Sequence, residues 1–187
     1  TSQNSNFSRI GKGSLGGKAR GLAFLNEKIH QKNIIEKFSN IKLRVPRSAI
    51  ISTEEFDIFM DKNNLWETAL KSNNNDLIID EFLKGKLSKE VIKSLKLFLE
   101  TIDTPLAVRS SGLLEDSQYQ PLAGMYSTFM LPNSSPNKKE KLSQVCEAIK
   151  RIYASTFFRE PKTLLSQFTQ KHEEEKMAII IMEMIGK

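Results

Sequence analysis

The chain has 187 residues, 39% of them hydrophobic, with 28 Lys and Arg against 22 Asp and Glu and a formal charge of +6. Its one cysteine excludes an intrachain disulfide, its two histidines exclude a His-rich metal site, and no apolar run reaches the ~20 residues of a membrane span. The basic residues are scattered over KNIIEK, KLRVPR, KGKLSK and KKEK without interleaved aromatics, which predicts solvated helix faces rather than a nucleic-acid surface.

In chain order, residues 1–15 read as a polar, glycine-rich loop with no signal-peptide apolar core. From Gly16 the residues Ala19, Leu22, Ala23, Leu25 and Ile29 recur at three- and four-residue spacings and predict a helix. Pro46 stops any helix there, and Ala49–Ile51 make a short strand. Ser52 with Glu55 is a capping-box signature for a helix through EEFDIFMDKNN. SNNND is a loop, DLIIDEFLKG a short helix ended by Gly85, and Ser88 opens a helix with Val91, Leu95, Phe98 and Ile102 on one face.

TPLAVRSS then predicts a strand, LLEDSQYQPLAG an irregular loop and MYSTFMLP a second strand. Asn137 with Glu140 caps a long helix through about Phe157, in which Cys146 reads as a small buried hydrophobe. REPKTLLSQFTQKH is a further helix and HEEEK a charged turn. MAIIIMEMIGK is a strand apolar on both faces, which belongs inside a sheet with partners. The fold class expected is α+β (α/β), with 1–103 mainly helical and 104–187 strand-loop-strand-helix-helix-strand. A first residue other than Met, and a final strand without a turn or closing helix, predict a piece of a longer, cytoplasmic polypeptide.

Two stretches carry chemistry. IGKGSLGGKARGLAFL contains G-x-G-x-x-G at Gly11, Gly13 and Gly16. A P-loop reading fails because Gly17 intrudes before Lys18 and Ala19 replaces the hydroxyl residue. A Rossmann reading fails because no apolar strand precedes Gly11 and no acid closes a second strand. What is left is a helix start at Gly16-Gly17, with free N–H groups, the positive dipole end, and Lys18 and Arg20 in the first turn. Gly11 and Gly13 read as a flexible approach to it.

The second stretch is TPLAVRSSGLLEDSQYQPLAGMYSTFMLP. Arg109 is expected to emerge where its strand ends, followed by the hydroxyls of Ser110 and Ser111 and exposed backbone N–H groups through Gly112. Gly124 allows close backbone approach before the next strand. An arginine fork beside such donors suits phosphate oxygens.

This stretch resembles the nucleotide-binding domain of phosphoenolpyruvate synthases and pyruvate, phosphate dikinases, with V-R-S-S, an E-D loop and an A-G-x-x-[ED]-T segment. Gly16-Gly17-Lys18 matches the family's early G-G-K, and Val45-Pro46 its V-P segment. YASTFFRE resembles its S-L-F-x-x-R, and AIIIMEMIG the apolar strand that follows.

The resemblance implies an ATP-grasp-type domain, here the first subdomain, that uses ATP to phosphorylate a histidine on a separate domain, with a third domain passing the group to pyruvate. It implies that Lys18 and Arg109 contact the ATP phosphates, that Gly16, Gly17, Ser110, Ser111, Gly124 and Thr128 surround them, and that Arg159 lies nearby. Glu183 would stand near the adenine, and Mg2+ ligands are expected beyond Lys187.

The chain departs from the pattern at Ser127, where the family has Glu or Asp; Glu115 and Asp116 are the nearest other acids. No phosphohistidine segment is present, since His30 and His172 sit in plain helical surroundings. The fragment alone is expected to be inactive. A second reading follows from Ser127: a degenerate nucleotide-sensing module without catalysis.

Overall fold

The computed structural model describes residues 6–29, 37, 40–41, 43–113, 124–165 and 176–186. Five strands form one mixed sheet: β1 (Phe7–Ile10), β2 (Ser48–Ile51), β3 (Leu106–Gly112), β4 (Thr128–Leu131) and β5 (Met177–Glu183), in the order β1-β2-β5-β3-β4. β1 and β2 are parallel, and the other three pairings are antiparallel. The apolar MAIIIME run is the central strand, hydrogen-bonded on one edge to β2 and on the other to β3. Its residues alternate between two covered faces, which is why it carries no polar alternation.

One face holds Ala49, Ile51, Leu106, Val108, Met177, Ile179 and Ile181. It packs against α2 (Thr53–Lys62), α4 (Asn75–Lys84), α5 (Lys89–Leu99) and α6 (Lys138–Ser155). Short helices α3 (Trp66–Lys71) and α7 (Arg159–Leu165) complete that layer. Aromatic rings join its helices: Tyr153 of α6 lies 5.1 Å from Phe56 and 5.4 Å from Phe59 of α2. Phe82 of α4 lies 5.9 Å from both Phe59 and Phe157. Offset and edge contacts at these spacings add to the burial of the rings themselves. Among the described residues the opposite face is covered by α1 (Gly16–Ile29), whose Ala19 and Leu22 pack on Ile50, Ile180 and Met182.

Sequence signals set the helix ends. Ser88 accepts the Val91 N–H at 3.1 Å to start α5, and Asn137 accepts the Lys139 N–H at 2.9 Å to start α6. Two expectations are corrected. Residues 7–10, read as loop, form a strand, because pairing with β2 satisfies a backbone whose sequence has only Phe7 and Ile10 to bury. Ser52 stands at the start of α2, but its side chain makes no capping bond.

Candidate nucleotide site

The carboxyl ends of β1, β2 and β3 lie at the same end of the sheet as the amino ends of β4 and β5. The glycine loop 11–15, the start of α1 and the start of α2 all leave from this end. Open sheets bind ligands in the crevice outside strand carboxyl ends.

The glycine loop is not a slack approach. Gly11, Gly13 and Gly16 all have φ between 72° and 86°, a region that costs residues with a Cβ about 1 kcal/mol or more. Gly11 is pressed onto α2, where a Cβ would stand 2.7 Å from the Ser52 hydroxyl and 2.8 Å from Glu55 Cγ. Arg9, at the end of β1, donates from Nε to the Gly11 carbonyl at 3.0 Å and from Nη2 to the Gly13 carbonyl at 2.6 Å. Glu54 accepts the Lys12 N–H at 2.6 Å, and Thr53 Oγ1 accepts the Ser14 N–H at 3.1 Å while its own N–H returns to the Ser14 carbonyl at 2.9 Å. Arg9 thus holds the Gly11 and Gly13 carbonyls, and the start of α2 holds the Lys12 amide and both backbone groups of Ser14. Reading Gly11 and Gly13 as a flexible approach is corrected: this backbone is a fixed turn that delivers Gly16.

The strand ahead of Gly11 also removes one objection to a Rossmann-type reading. The other stands, since Ser52 and not an acid follows β2, and an antiparallel β5 separates β2 from β3. Ser52 Oγ and Glu55 Oε2 are buried beneath Gly11 without a hydrogen-bond partner. That placement explains the unformed capping box: the loop, not the helix, sets where these side chains go.

Gly16 is the contact point between the two stretches singled out in the sequence. A Cβ there would fall 1.8 Å from the Ser111 carbonyl oxygen, so only glycine lets α1 begin against β3. The Ser111 hydroxyl donates to the Leu15 carbonyl at 2.9 Å and accepts the Ala19 N–H at 3.1 Å. It thereby satisfies one of the donors that a helix start leaves open. Arg20 is exposed, and its Nε donates back to the Gly16 carbonyl at 3.2 Å. Lys18 is half-buried in the same first turn, beside Gly17.

Arg109 does not stand where its strand ends. β3 runs on to Gly112, because Ser110, Ser111 and Gly112 pair with Ile179, Ala178 and Met177 of β5. Arg109 is the one exposed residue of that strand, opposite Ile180 on one side and Thr128 on the other. Directly paired residues share a face, so Arg109, Thr128 and Ser111 lie on the face covered by α1. Ser110, one residue on, faces the other way and is buried. The expected row of free donors at Ser-Ser-Gly is corrected to a paired strand with one exposed arginine.

The remaining residues divide. Gly124 is exposed with φ 79° in the turn that leads into β4, with nothing within 4 Å of a Cβ. Ser127 donates its N–H to Ser155 Oγ at 3.3 Å, tying that turn to the end of α6. Arg159 opens α7 in the helical layer, its N–H bound to Asn75 Oδ1 at 3.0 Å, on the other side of the sheet from Arg109. Glu183 ends β5 at the far end of the sheet and shares a face with Leu106. Its buried carboxylate takes the Arg47 N–H at 3.0 Å and Arg47 Nε at 3.2 Å, with Arg44 Nη1 at 3.6 Å. It has the geometry of a structural ion pair remote from Lys18 and Arg109. Glu115, Asp116, His30 and His172 lie outside the described residues.

Residues 12–187 match the family model of the pyruvate phosphate dikinase AMP/ATP-binding domain. The chain belongs to that family. ATP binding follows from the membership in this dikinase family. No curated protein matches the chain. Among the described residues no group of three or more His, Cys, Asp or Glu could hold a metal ion. No described helix is long and apolar enough to cross a membrane.

Sequence reasoning missed Arg9, Thr53 and Glu54. Arg9 follows a short apolar signal that read as loop, and the two others looked like ordinary first-turn helix residues. A cleft of about 380 Å3 between α5 and α6, lined by Lys96, Glu100, Asp103, Lys138 and Lys141, lies at the opposite end of the sheet. Two of its lysines face carboxylates, Lys138 at 3.4 Å from Glu100 and Lys141 at 3.5 Å from Asp103.

Proposed function

We propose that this domain forms the phosphate-binding wall of the ATP site in a phosphotransferase that passes a phosphoryl group to a histidine on another domain. The observation that carries the reading is the junction of α1 with β3. It sets a helix N-terminus and Lys18 beside the face that bears Arg109 and Thr128. A helix start offers N–H donors and positive potential to an anion, and an arginine fork donates to two phosphate oxygens at once. Phosphoryl transfer asks little covalent chemistry of the protein. It asks for neutralised oxygens and a fixed line of attack, which cations mounted on a sheet and a locked helix supply. In this reading Gly16, Gly17, Lys18, Arg109, Thr128 and Gly124 line the phosphates. Ser110, Arg159 and Glu183 support the frame. The acceptor histidine, the pyruvate or phosphoenolpyruvate chemistry and the Mg2+ ligands belong to other parts of the protein.

Calorimetric titration of the full-length protein with Mg-ATP tests the site. Lys18→Ala and Arg109→Ala should each weaken binding about 10- to 100-fold, the range for a charge-assisted bond. Unchanged affinity in both would overturn the assignment. Transfer is tested separately, by incubation with labelled ATP and detection of acid-labile, base-stable phosphate on the protein.

Ser127 favours a second reading, a nucleotide sensor without catalysis, because a serine stands where the resemblance calls for an acid and its backbone is tied to Ser155. Tight ATP binding with no labelled phosphohistidine would select it.

A further inference from the structure

We infer that Ser111 is a positioning residue for Lys18: its hydroxyl sets the register between α1 and β3, and with it the spacing between the two cations of the phosphate site. The inference rests on the ATP-site reading above and assigns Ser111 a different task from direct contact with phosphate. Ser111 is fully buried and its hydroxyl is already engaged at both ends, donating to Leu15 and accepting from Ala19. No lone donor is left to aim at a ligand.

What the hydroxyl holds is the residue on either side of the glycine-lysine turn. Leu15 precedes Gly16, and Ala19 follows Lys18, so the three residues between the two bonds are clamped to one point on β3. On the strand, that point is two residues from Arg109 and on the same face. Gly16 removes the only atom that would keep the two backbones apart. Ordinary helix caps come from a residue adjacent in sequence; here the cap comes from 92 residues away, and helix start and strand are joined by it.

The alternatives predict different patterns of affinity. A residue that acts through Lys18 should lose its effect once Lys18 is gone, whereas one that binds phosphate itself should act independently. The experiment is a double-mutant cycle in the full-length protein: ATP affinity of wild type, Ser111→Ala, Lys18→Ala and the pair, with melting temperature recorded for each. Ser111→Ala should weaken ATP about tenfold in the wild-type background, comparable to loss of a buried cap. In the Lys18→Ala background it should change affinity less than about twofold. Ser111→Cys, which keeps the volume and a weak donor, should recover part of the loss; it also replaces Ser111→Ala in the cycle if the alanine variant does not fold. Equal losses in both backgrounds would overturn the inference, as would a lower melting temperature with unchanged ATP affinity. If Lys18→Ala alone leaves affinity intact, the ATP-site reading itself fails, which is a separate outcome.

Discussion

Arg47 and Glu183 meet three times: each backbone N–H bonds to the other residue, and the guanidinium Nε reaches the second carboxylate oxygen. Arg47 leads into β2 and Glu183 closes β5, so the pair fastens two adjacent strands at the end remote from the glycine loop. Glu183→Gln should lower stability by about 2 kcal/mol, below the ~3–5 of a fully buried pair because Arg47 remains partly in water. Its ATP affinity should stay at the wild-type value. Chemical denaturation and calorimetry on one variant separate the frame from the site.

The glycines give a graded series. Gly16→Ala forces a Cβ to 1.8 Å from a backbone oxygen and should cost more than about 3 kcal/mol or prevent folding. Gly124→Ala meets open space and should cost only the ~1 kcal/mol of its left-handed backbone. Gly21→Ala, inside α1 with nothing within 4 Å, should stabilise by about 0.5–1 kcal/mol. Urea midpoints for the three should fall in that order.

Arg9→Met removes both bonds to the glycine-loop carbonyls while keeping much of the side chain's bulk. Amide hydrogen exchange over residues 11–15 should accelerate at least several-fold, with α6 unaffected, since local opening is read at the segment released.

Cys146 gives a pH prediction. Burial raises its thiol to about 11 from an ordinary value of 9.0, so the neutral form is favoured by the fold. The associated stability is complete below pH 9 and is lost as pH rises through 11, because the unfolded chain ionises first. Alkylation by iodoacetamide at pH 8 should therefore run far slower in the folded protein than in urea, and Cys146→Val should lose the stability decline over that interval.

Much of this fold could be read from residues alone. The helices of the second layer announced themselves through three- and four-residue spacings at Val91, Leu95 and Phe98, and through caps at Ser88 and Asn137. The central strand was visible in AIIIM. β1 was not, because four residues with only Phe7 and Ile10 apolar, on opposite faces, become a strand only when β2 is beside them. β3 shows the same dependence: Arg109 is expected where its strand ends, and the strand runs on to Gly112 because β5 continues alongside.

The cations Lys18 and Arg109 were legible as residue types with phosphate chemistry. Their supports were not. Ser111 capping a helix 92 positions earlier, or Arg9 gripping carbonyls that a glycine loop turns toward it, are tertiary relationships without a local pattern. A hydroxyl beside an arginine has the same letters whichever way it faces.

The central position of β5 has a consequence for how the chain comes off the ribosome. β2 is made about 125 residues before the strand that covers its inner edge, and β3 about 65 before. Until Met177–Glu183 emerges, the nascent protein can hold only two separate strand pairs, β1 with β2 and β3 with β4. Each then offers an unpaired, apolar edge to whatever is near. β5 is the strand that turns two ribbons into a sheet, so a chain stalled before it should need a chaperone, and one in which it has emerged should not.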